Sequence, residues 1–105
     1  MRYEFVYDPR LGIRLPVLHH DWEAYTAAER AEMIATWEEI RAKIPDRILQ
    51  LEAIINEKQQ QLEQEEDFAQ SCRLTREIAE LASVINDLNI WFRVEQDAEP
   101  ARTHR

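Results

Sequence analysis

The stretch IPDRILQLEAIINEKQQQLEQEEDFAQSCRLTREIAELASVINDLNIWF, residues 44–92, decides the fold. Within it Ile48, Leu51, Ile55, Lys58 and Leu62 recur three and four residues apart, and Leu74, Ile78, Leu81, Ile85, Leu88 and Phe92 do the same. That is the spacing of one face of an α-helix. The two stripes are out of phase. Continuing the first beyond Leu62 lands on Arg76, so one straight helix would turn the second stripe away from the first. A turn at Gln64-Glu65-Glu66-Asp67 removes the conflict, and Asp67 with Gln70 three residues on has the form of a capping box. Folded back there, Lys58 pairs with Leu74, Ile55 with Ile78, Leu51 with Leu81, Ile48 with Ile85 and Ile44 with Leu88, and the same register brings Ile40 to Phe92. The expected core is a long antiparallel, coiled-coil-like helical hairpin, with helix 2 over 45–64 and helix 3 over 67–97.

Towards the N-terminus, Thr26-Ala27-Ala28-Glu29 is a capping box opening a first helix over 27–43, with an apolar stripe of Met33, Trp37, Ile40 and Ile44. Pro45 cannot donate the next helical hydrogen bond and disfavours helical Ile44, so a kink or break is expected there. Before this helix, Tyr3, Phe5 and Tyr7 alternate with Arg2, Glu4 and Val6. Ile13, Leu15 and Val17 repeat the period beyond the turn-forming Asp8-Pro9-Arg10-Leu11-Gly12. This predicts a β-hairpin over 2–18 whose Tyr3, Phe5, Tyr7, Ile13 and Leu15 need burial against something else. The fold class is therefore mainly α, a kinked helix leading into a helical hairpin with a small β-hairpin packed on it. Residues 1–97 form one domain in this reading, with 98–105 a flexible tail.

Composition narrows the function. The chain of 105 residues carries a net charge of −8 and one glycine, with two Lys and eleven Arg. Residues 21–67 hold thirteen acids against five bases, so affinity for phosphate backbones or anionic membranes is disfavoured. One Cys rules out an intramolecular disulfide, no apolar run reaches membrane-span length, and Met1–Asp8 is charged; a cytoplasmic location is expected. The sole glycine leaves no phosphate-cradling loop.

Three constellations could carry chemistry. His19-His20-Asp21 invites a metal, but adjacent side chains on extended backbone diverge, and the third histidine is the distant His104. Glu29 with Glu32, and Glu77 with Glu80, have the carboxylate spacing of helical magnesium-dependent nucleotide hydrolases, without the second Glu-x-x-Asp pair those enzymes use. Cys72 could be a thiol activated by Arg73 and Arg76, or a small core residue. The reading is of a protein that is not an enzyme, with no metal, cofactor or small-molecule substrate.

Residues 63–81, with the acidic turn before Asp67-Phe68, the small Ser71 and Cys72, then Leu74, Glu77, Ile78 and Leu81, resemble the UVR motif of bacterial excision-repair and protease-regulator proteins. Thr75-Arg76 stands where that motif has Arg-Asp. The resemblance implies a helical hairpin that pairs with another helical hairpin, and no catalysis. Apolar residues left off the seam point the same way: Leu49, Ile54, Val84, Ile90, Trp91 and Val94 are the expected interface of an isologous dimer or a helical partner, with Trp91 as anchor. The alternative is an acidic inhibitor that occludes a basic site on another protein.

Overall fold

A computed structural model of the protein describes residues 2–94. The order is β1 (Tyr3–Asp8), β2 (Ile13–Leu18), a 3₁₀ turn at Trp22–Ala24, α1 (Ala27–Arg41), α2 (Ile44–Gln64) and α3 (Phe68–Phe92). It is a mainly helical molecule: an antiparallel two-stranded hairpin, a bent helical run through α1 and α2, and α3 packed antiparallel on α2. The expected extension of the third helix to residue 97 and the tail 98–105 lie outside the described residues.

The bend forms one step earlier than the sequence suggests. Helix α1 stops at Arg41 rather than 43, Lys43 donates its amide to the Ile40 carbonyl in a tightened last turn, and α2 starts at Ile44. Pro45 thus occupies the first turn of α2, where its missing N–H costs nothing. At the other end of α2 the chain turns over Glu65-Glu66-Asp67. The Asp67 carboxylate accepts from the Gln70 amide at 3.1 Å, but the reciprocal half of the expected capping box is absent. Gln70 accepts from Arg73 instead, and the Asp67 amide donates to Glu65. The box at Thr26 and Glu29 forms in full.

The seam is the expected one. Ile44, Leu51, Leu74 and Leu88 are buried, Ile48, Ile55, Leu81 and Ile85 are half-buried between them, and Lys58 reaches across to Glu77 at 2.9 Å. At the open end of the hairpin α1 closes the core. Trp37 is fully buried edge-to-face on Trp91, with ring centroids 5.6 Å apart, and donates its indole N–H to the Val94 carbonyl at 2.8 Å. Arg41 lies over the Phe92 ring and donates to the Phe92 carbonyl at 2.6 Å. The last turn of α3 has no basic residue of its own, so α1 supplies the donors and the positive charge that its exposed carbonyls need.

The β-hairpin departs most from expectation. Its strands pair Tyr3 with Leu18 and Asp8 with Ile13, so the connecting loop is Pro9–Gly12 and odd positions of β1 face even positions of β2. Phe5 and Leu15 therefore lie on opposite faces of the ribbon, yet both pack against the core. Tyr7, expected to need burial, is 59% exposed. Instead the turn itself is driven into the helices. Leu11 is buried beside Ile13 and Val84, its amide donating to the Asp8 carboxylate, and Gly12 takes the left-handed conformation (φ 76°) that closes the loop.

Candidate functional site

Each carboxylate pair that suggested metal or acid–base chemistry is committed to holding the fold. Glu29 closes the α1 capping box and pairs with Arg2 at 2.9 Å; the Thr26 backbone amide, then Arg2, hold its carboxyl below the usual range. Glu32, one helical turn on, accepts from the Tyr3 hydroxyl. Glu77 bridges Lys58 and Arg73, with Lys58 the main cause of its lowered pKa. Glu80, Ser83 and Asp87 all receive the Arg10 guanidinium, which pins the β-turn to α3. His19 lies 3.1 Å from Glu4, whereas His20 stacks edge-on to Tyr25. Among the described residues no group of three or more His, Cys, Asp or Glu could hold a metal ion. Cys72 is half-buried on α3, beside Phe68, Ser71, Thr75 and Arg76 in a shallow groove near the helical turn, not in the core.

The six residues expected to form an interface divide into two sets. Val84 is 4% exposed under the β-turn, Trp91 packs on Trp37, and Val94 lies against the same core. The hairpin and α1 cover that flank of α3, so Val84 is interior while Trp91 and Val94 are half-buried against the core, with one face of Trp91 taken up by Trp37. Leu49 (62% exposed), Ile54 (39%) and Ile90 (48%) do face outward. At about 100° per residue, Leu49 and Ile54 stand some 140° apart around α2. They do not make one patch.

The cations hold the feature that sequence reasoning missed. A cleft of about 470 Å³ opens between the β-turn and the α1–α2 bend, lined by Tyr7, Gly12 and Ile13 from the hairpin, Ile40 from α1, and Asp46 and Gln50 from α2, together with Arg14, Lys43 and Arg47. Arg47 donates to the Leu11 carbonyl and Arg14 lies over the Phe5 ring, but none of the three cations is ion-paired to a carboxylate among the described residues. In a chain of net charge −8, three cations without ion-pair partners around one cleft, against the single acid Asp46, form a local positive site. The signal could not be read from the sequence because Arg14 and Lys43 are brought together only by the docking of the turn.

Comparison with known proteins finds no family model, no curated protein and no solved structure that matches this chain.

Proposed function

We propose that this protein is a non-enzymatic interaction module that self-associates, or docks on a helical partner, through its α2–α3 hairpin. The observation that carries this reading is the shape and thinness of that hairpin. The molecule measures 59 × 32 × 20 Å, and its buried core is confined to the end where the β-hairpin and α1 pack. Between residues 52 and 80 only Leu74 is buried; the rest of this stretch is half-buried or exposed. The outer part of the hairpin is thus a two-helix arm with no third layer among the described residues, and it presents Ile54 on α2 and Phe68, 81% exposed, where α3 begins. A second helical pair laid on such an arm converts it into a four-helix core, which buries the flanks that two helices leave open. The resemblance of residues 63–81 to UVR-type hairpins, which pair with other hairpins, supports the same reading.

The test is sedimentation equilibrium over a concentration series. A dimer at micromolar concentration is expected. A protein that remains monomeric at hundreds of micromolar contradicts self-association.

A further inference from the structure

One flank of α2 is graded in charge along its length. Lys43, Arg47, Gln50, Ile54, Glu57, Gln61 and Glu65 follow one another at spacings of three and four, so they form a single stripe at the edge of the α2–α3 seam. Two cations stand at the base end, an exposed isoleucine in the middle, and two carboxylates at the tip, where Glu66 and Asp67 of the turn add more negative charge. The base end is the wall of the positive cleft.

A stripe that runs from positive through apolar to negative is complementary to its own antiparallel copy. We propose that the occupant of this flank is a second copy of the chain, with the two α2 helices antiparallel about a two-fold axis at Ile54 and the acidic tip of each arm seated in the positive cleft of the other. This rests on the self-association proposed above and specifies its surface and register. With Ile54 on the axis, Lys43 faces Glu65 of the other copy eleven residues away on either side, and Arg47 faces Gln61 between the Glu57 and Glu65 carboxylates. The Lys43–Glu65 span is about 33 Å along the helix, so both ends engage at once.

The arrangement accounts for three features together. It supplies carboxylates to Arg14, Lys43 and Arg47, it covers Ile54, and it places the outer arm against a second pair of helices. It also leaves Leu49 outside, on the far side of α2. Each copy carries a net charge of −8, but that repulsion acts over distances screened at physiological salt, while the end contacts are local. A contact made by one helix from each copy belongs with the small, non-obligate interfaces.

The experiment uses the full chain in a Cys72→Ser background. Ile54→Cys should oxidise to a disulfide-linked dimer, because the two positions meet on the axis, whereas Leu49→Cys should not. Separately, Lys43→Glu should weaken dimerisation by about tenfold, since two opposed pairs become repulsive, and Lys43→Glu with Glu65→Lys should restore it, with helical circular dichroism unchanged throughout. A dimer that forms without the Ile54→Cys link, and whose affinity ignores both charge variants, overturns this register while leaving self-association standing. A wild-type chain that is monomeric throughout overturns both.

Discussion

Gly12 occupies a position in this fold that accepts a side chain only with strain. Its φ of 76° lies where a Cβ meets the backbone, and a Cβ built there would stand 2.8 Å from Arg47 Nε and 3.0 Å from two further guanidinium atoms. Gly12→Ala should therefore cost about 1–2 kcal/mol from the backbone alone, read as a lower urea midpoint with an unchanged slope. Tyr3 makes a second residue-scale test. The Glu32 carboxylate accepts its hydroxyl proton, and this hydrogen bond, with burial and the nearby negative charge, raises the Tyr3 pKa from 10.0 to about 12. Because the folded value exceeds the unfolded one, the contact stabilises fully below the ordinary tyrosine range and is lost as pH rises from about 10 through 12. Tyrosinate absorbance should show one tyrosine titrating late, and Tyr3→Phe should remove it. Gly12 was legible in the sequence as the closing residue of a turn. Leu11 and Tyr25 were not: each sits in a polar connection, and only the fold reveals that Leu11 enters the core. Nor does the sequence reveal that the Tyr25 hydroxyl donates to the Arg2 carbonyl while accepting from the His19 and His20 amides.

Among the elements, α3 depends on α1 for its C-terminal end. Removing the Arg41 guanidinium leaves the Phe92 carbonyl without its cationic donor, and Arg41→Ala should lower stability by about 1–2 kcal/mol and speed amide exchange in the last turn of α3. The antiparallel register of α2 and α3 is tested by cysteines at Ile55 and Ile78 in a Cys72→Ser background. They should cross-link within one chain at every dilution, whereas cross-links formed only between chains would contradict the turn at 65–67. Acid acts on the same elements. Glu29 and Glu77 have folded pKa values below their ordinary 4.5, so their contribution is present above that value and is lost as pH falls through the depressed ones. The melting temperature should fall on acidification below about pH 4.5, and less steeply in Glu77→Gln, which has already given up that contribution. The helical hairpin was legible because its two stripes run uninterrupted for five and six positions in one register. The flank of α3 was not. Val84 and Trp91 look like spare surface in a two-helix seam, and only the Arg10-anchored turn and Trp37, far away in the chain, cover that flank, burying Val84 and half-burying Trp91.

The whole molecule is a compact base joined to a thin acidic arm. The mean charge of the chain suggests an inhibitor of basic sites, but the distribution of charge along α2 suggests self-recognition, since cations without an ion pair among the described residues gather at the end opposite the acids. The measurement that tests this most directly is amide hydrogen exchange of the wild-type chain at low and high micromolar concentration. Self-association through the arm predicts that protection of α2 between residues 47 and 64 rises with concentration, while the amides around Trp37 and Leu88, buried in the base, keep the same protection at both. Exchange that is identical along the arm at all concentrations would contradict the claim that a second copy covers it.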